Sequence, residues 1–303
     1  LTESQKARTF ASQQLHLPNN QSYRLYADIG RPFVVWNVFA TPEFSLSPQN
    51  HCFPIAGCVA YRGYYQLGRA RGAAALLREQ GLDTHIGGVE AYSTLGWFDD
   101  PLLNTMLRWS DERFIAVIFH ELAHQQYYLP GDTAFNESFA TTVERLGGTR
   151  WLATQASPSA RNEYAAFDER RRRFRALTFS VRRTLDAIYK DASLDDTEKT
   201  RRKTAAMADF RQSYEALKRD WGGFAGYDPF VAQANNASFA AQAAYDGLVP
   251  AFEALFEREG RDFARFYDAV RALAALPKEE RRSQLMRLAP TPSLVALHTG
   301  AHP

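Results

Sequence analysis

Hydrophobic positions change their spacing part-way along the chain. Up to about residue 105 they fall in short blocks of strand character. Residues 33–40, FVVWNVFA, form an unbroken β-branched and aromatic run just after Pro32, the composition of a strand. Runs at 55–61 and 84–92 are shorter and broken by glycines, and with the first they predict a small sheet. Residues 66–80 are rich in Ala and Leu and end at Gly81, which predicts a helix with a glycine stop. Beyond Asp111 the period is helical nearly throughout, over 112–127, 135–146, 161–190, 197–219, 238–258 and 262–276. The clusters LPGD (129–132), Gly147 with Gly148, DASLDD (191–196) and WGGFAGYDP (221–229) read as the turns between these helices.

These blocks predict an α+β fold: a small sheet-containing N-terminal lobe over 1–105 packed on a predominantly helical lobe over 106–303. No internal repeat and no low-complexity linker separates them, so 1–303 is expected as one domain of two lobes. An apolar content of 45% is enough for a real core. The 36 Lys and Arg balance 34 Asp and Glu to a net charge of +2, which gives no electrostatic case for nucleic acid or an anionic membrane. The basic run ERRRRFR at 169–175 reads as a solvated helix face with Phe174 turned inward. No stretch reaches the ~20 continuous apolar residues of a membrane span, and the opening LTESQKART has no hydrophobic signal core.

The chemistry concentrates in FIAVIFHELAHQQYY. His120 and His124 stand four residues apart on a predicted helix, about one turn, so both imidazoles can reach one ion. Phe114, Val117, Ile118 and Leu122 supply an apolar stripe that would bury this helix. A catalytic zinc takes three protein ligands and leaves a fourth position for water. Of the next acids, Asp132 sits in the LPGD turn, where helix capping accounts for it. Glu137, in FNESFATTVE, begins a helix that Pro130 and Gly131 would fold back on the first, and is the expected third ligand. Glu121, not a ligand, is left to take a proton from the zinc's water and pass it to the leaving nitrogen. The expectation is one Zn2+ and hydrolysis of a peptide bond. Glu144 and Thr141 share the Glu137 face, where either can orient a ligand imidazole or simply meet solvent. Tyr245, on an alanine-rich helix, is the candidate donor to an oxyanion, against a plain packing role.

The pairing of HExxH with Asn-Glu on the next helix resembles the gluzincin metallopeptidases, whose third ligand is that Glu; the resemblance implies a zincin-like fold and assigns the role to Glu137. In some gluzincin aminopeptidases a Gly-Ala-Met-Glu-Asn element binds the substrate α-amine about thirty residues upstream of the zinc motif. Gly88 and Glu90, the latter 30 residues before His120, are similar to it. Glycines in that segment would also let a peptide backbone approach and pair along a strand edge. The segments VVWNVFATPEFSL, CFPIAGCVAYRGYY, AYSTLGWFDDPLL, FHELAHQ and FNESFATTVE resemble the proteobacterial family called predicted aminopeptidases. That resemblance implies a lipoprotein-type signal, hence a periplasmic or membrane-tethered location, and a Cys52–Cys58 disulfide; from spacing alone the pair is equally two buried thiols. Two other readings stand beside the aminopeptidase. One is a zinc endopeptidase, and the other a non-catalytic, zinc-stabilised peptide- or envelope-binding protein.

Overall fold

A computed structural model describes residues 2–53, 57–91, 93–108, 110–155 and 157–289. The 33–40 run becomes β2 (Val35–Thr41), flanked by β1 (Tyr26–Ala27) before it and the hairpin β3 (His51–Phe53) and β4 (Gly57–Val59) after it. Next come β5 (Arg62–Tyr64), α2 (Leu67–Glu79), β6 (Asp83–Val89) and β7 (Leu102–Leu103). β2 is the centre of a three-stranded antiparallel sheet ordered β5-β2-β6, and β1 pairs with β7 in parallel. Ile55 and Tyr92, within two of the predicted runs, lie outside the described residues. In the hairpin Cys52 faces Cys58 and the two are joined by a disulfide.

Side chains alternate across β2, as a strand requires. Val38, with Ile86 of β6, packs on Ala70 and Ala74 of α2. Phe39 points the other way, onto Ala237 and Ala241 of α8 (Asn236–Asp246), so the sheet lies between two helices. The remaining helices are α1 (Thr2–Gln14), α3 (Asp111–Gln126), α4 (Thr133–Gln155), α5 (Pro158–Lys190), α6 (Asp196–Asp220), α7 (Asp228–Ala232), α9 (Val249–Arg258), α10 (Phe263–Ala274) and α11 (Lys278–Leu288). The largest core joins α1, α3, α4, α9, α10 and α11 around Phe119, Phe135, Phe139, Phe252 and Phe266, all fully buried. A second cluster around Phe174, Phe210 and Tyr214 holds α5 to α6. α1, from the N-terminal third, thus sits among the helices, and α8, from the C-terminal third, lies on the sheet.

Two helix boundaries differ from the sequence reading. Gly147 and Gly148 do not break the chain, because α4 runs straight through them. A Cβ on Gly147 would come within 2.7 Å of Leu15 and 2.9 Å of Phe119; the glycine is there for close packing of α3, and of Leu15 just past α1, on α4. The predicted helix 238–258 splits into α8 and α9. Leu248 N–H donates to the Ser138 hydroxyl at 3.1 Å, outside the helical ladder, and Pro250 in the first turn of α9 has no N–H to give. α1 and α11 fall outside every predicted helix.

Candidate metal centre

Ser110 caps α3, its hydroxyl accepting from Arg113 N–H at 3.4 Å. The predicted stripe is buried as expected, Phe114 deeply and Ile118 and Leu122 completely, with Val117 packed at its edge. With that face fixed in the core, His120 and His124 project from the same side, their rings 4.9 Å apart and nearly perpendicular. Such a helix gives its ligands little freedom to move.

The turn to α4 is held by the residue before Glu137. Asn136 is almost fully buried; its amide accepts from Leu129 N–H and donates to Leu129 C=O, both at 2.8 Å. Asp132 caps α4 by accepting from Phe135 N–H at 3.2 Å and takes Arg281 of α11 at 2.7 Å. These contacts turn the first coil of α4 back on α3. Glu137 Oε2 then lies 3.5 Å from His120 Nε2 and 3.6 Å from His124 Nε2. A tetrahedral ion with bonds of ~2.0–2.2 Å holds its donor atoms roughly 3.3–3.6 Å apart, and both nitrogen–oxygen separations fall in that range. His120, His124 and Glu137 are a group that can hold a metal.

Around these three the structure arranges the charges. His120 Nδ1, on the ring edge away from Glu137, bonds Glu144 Oε2 at 3.0 Å, which leaves Nε2 facing the Glu137 carboxylate. Burial alone would lower the His120 pKa, but the carboxylates of Glu137 and Glu144 outweigh it and raise it well above the usual value. Burial likewise opposes ionisation of Glu137, yet the two imidazoles hold its carboxyl at about 2. Glu121 is buried. Its pKa is raised, first by burial, against the pull of both histidines and with help from Glu137 and Asp100. Tyr245 of α8 lies within electrostatic reach of Glu137 and Glu121; burial first, then those acids and Tyr61, keep its hydroxyl protonated far above the usual range.

A family model described as "Putative aminopeptidase" matches residues 1–285. The chain belongs to this family. No curated protein and no solved structure matches it. The family's description is that of a peptidase, and peptide hydrolysis agrees with a site that can hold a metal.

The other residues singled out in the sequence lie as follows. Thr141 is buried in α4 one turn after Glu137, while the bond to His120 comes from Glu144. Glu90, just past β6, carries an ion pair with Arg113 in the first turn of α3 at 3.2 Å. The Glu90 carboxylate thus already has a cationic partner within the protein. The space at Gly88 is filled by the protein itself: a Cβ there would come within 2.4 Å of the Phe33 ring. The basic run at 169–175 is only partly a solvated face. Phe174 is buried as expected, but Arg171 turns inward, 3.9 Å from Glu144 and 2.5 Å from Asp168, and Arg175 reaches Asp246 at 3.5 Å.

Several residues near the site have no mark in the sequence. Tyr23 is fully buried, and burial, followed by the charges of Glu121 and Asp100, raises its pKa far above normal. Asp100 accepts from Gln125, the neighbour of His124, at 3.1 Å. Gln125 meets Asp100, Ser22 and Asn20 across 25, 103 and 105 positions, so no local spacing could have announced that network.

Proposed function

We propose that this protein is a zinc-dependent aminopeptidase with a zincin-like site. His120, His124 and Glu137 would hold the ion and Glu121 would be the general base. The observation that carries this reading is that one carboxylate oxygen of Glu137 lies 3.5 Å and 3.6 Å from the Nε2 atoms of two imidazoles, with Glu121 buried in the same helix turn. Two nitrogens and one oxygen, with a fourth position left for water or substrate, are the donor set of a catalytic zinc. A zinc ion in that position supplies Lewis acidity toward a carbonyl oxygen and toward water.

The chain's own groups then have distinct tasks. Glu144 holds the Nδ1–H of His120 and so fixes the tautomer that can ligate. Glu121 accepts a proton from the attacking water and delivers it to the amide nitrogen as that nitrogen leaves. Tyr245 donates its hydroxyl hydrogen to the oxygen that gains charge in the transition state. The Cys52–Cys58 disulfide supports an oxidising compartment, which favours the periplasm or the outer face of a membrane as the place of action.

Endopeptidase activity is a second reading, favoured by the pairing of Glu90 with Arg113 and by the edge position of β6, along which an extended peptide can add as a strand. Aminoacyl amides compared with N-acetylated peptides separate the two. Equal cleavage of free and blocked N-termini removes the aminopeptidase. The general-base role is tested with Glu121→Gln, which is expected to bind zinc as the wild type does and to lose about 100-fold to 10,000-fold in kcat. Equal activity in both forms takes Glu121 out of the mechanism.

A further inference from the structure

A cleft of about 390 Å³ opens at the C-terminal end of α3, lined by His124, Gln125, Tyr127 and Pro130 on one side and by Leu95 and Trp97 on the other. We infer that it is the pocket for an aromatic or large aliphatic side chain on the substrate residue that flanks the scissile bond. The inference rests on the peptidase reading above and names the substrate class of that same site.

Trp97 is 74% exposed and its neighbour Phe98 73% exposed, although the turn that carries them is firmly held. Trp97 N–H closes the turn on Thr94 C=O at 3.1 Å. Leu95 and Gly96 both have positive φ, 60° and 81°, a conformation that leucine rarely adopts. Asp100 pins the turn by accepting from Thr94 N–H at 3.0 Å and from the Gln125 amide at 3.1 Å. Gln125 is tied in turn to Asn20 at 2.6 Å and to Ser22 at 3.2 Å. A strained backbone therefore sets Leu95 and Trp97 at a fixed height beside His124, with the indole left bare.

The lining decides what the cleft accepts. Among the described residues that form it, none is an Asp, Glu, Lys or Arg. Gln125, Gln126 and the tyrosines offer a charged side chain hydrogen bonds but no ion-pair partner among those residues. An aromatic or branched aliphatic side chain would instead cover Trp97, Leu95 and Tyr127, and the volume suits a small-ligand site of ~300–1,000 Å³. The exposed Asp99 beside Phe98 argues against the aromatic pair entering an anionic lipid surface. The His124 wall puts the cleft next to the metal position, so its occupant belongs to a residue at the bond being cut.

The test uses the zinc-loaded full chain and a peptide library with free and blocked N-termini, read by mass spectrometry. Phe, Tyr, Leu or Met should dominate one position flanking the cut, with kcat/KM for Phe about 100-fold above that for Gly. In Trp97→Ala that ratio should fall below about 10. Turnover with no such preference, or an unchanged ratio in the variant, overturns the pocket and leaves the peptidase reading intact. A second measurement follows the Trp97 indole N–H resonance, assigned by its loss in Trp97→Phe, during titration with phenylalaninamide and glycinamide. A protein without turnover fails the peptidase reading, and this resonance then decides the pocket. A shift with phenylalaninamide alone keeps an aromatic side-chain site, and equal shifts or none overturn it.

Discussion

Replacing Glu144 with Ala should weaken metal binding about 10- to 100-fold, which is roughly 1.4–2.7 kcal/mol. The magnitude follows from what Glu144 touches. Its Oε2 accepts from His120 Nδ1 at 3.0 Å, and its other oxygen lies 3.9 Å from Arg171. Removing the carboxylate leaves a buried N–H unpaired, a loss of about 1–3 kcal/mol, and frees the imidazole to turn its lone pair away from the metal position. Glu144→Gln keeps a neutral acceptor of the same shape. Because a charge-assisted bond is roughly twice as strong as a neutral one, its loss should be about half as large in free energy. The assay is a competition titration of zinc against a chromophoric chelator, with bound metal counted by emission spectroscopy. His120→Ala, which removes a ligand outright, sets the upper limit. Wild-type affinity in Glu144→Ala, alongside clear loss in His120→Ala, would refute the orienting role.

Tyr245→Phe should retain zinc and lose about 100- to 1,000-fold in kcat with little change in KM; an unchanged kcat returns Tyr245 to a packing role. In the metal-free protein the depressed Glu137 pKa gives stability that is present above ~4.5 and lost as pH falls toward about 2, while the raised His120 pKa gives stability that is present below ~6.5 and lost as pH rises through its folded value. Thermal stability without metal should therefore peak on the mildly acid side of neutrality. The gain in Tm on adding zinc should grow from pH 6 to 8 as the ion displaces the His120 proton, and a gain that shrinks over that range contradicts the shared site. Gly147→Ala improves helix propensity by about 1 kcal/mol, yet should destabilise overall because its methyl meets the buried Leu15 and Phe119. A higher Tm in that variant would show that Leu15 and Phe119 can move aside.

The sequence by itself determined which side chains one helix offers to the candidate centre. The i, i+4 histidines and the apolar stripe on the same helix depend only on helical periodicity, which any fold burying that stripe must respect. The α+β class and the strand over 33–40 were legible for the same reason, since strand and helix periods are local. Tertiary structure decided everything set by long-range approach. Whether Glu137 closes on the histidines depends on Asn136 gripping Leu129 and on Arg281 holding Asp132, the latter 149 positions away. Gly147 and Gly148 carry the local sign of a turn and are overruled by the close packing of α3, Leu15 and Tyr164 on α4. Arg171 looks like one cation in a solvated run until α5 brings it against Glu144. A short-range pattern fixes which faces a segment offers, and only packing fixes what each face meets.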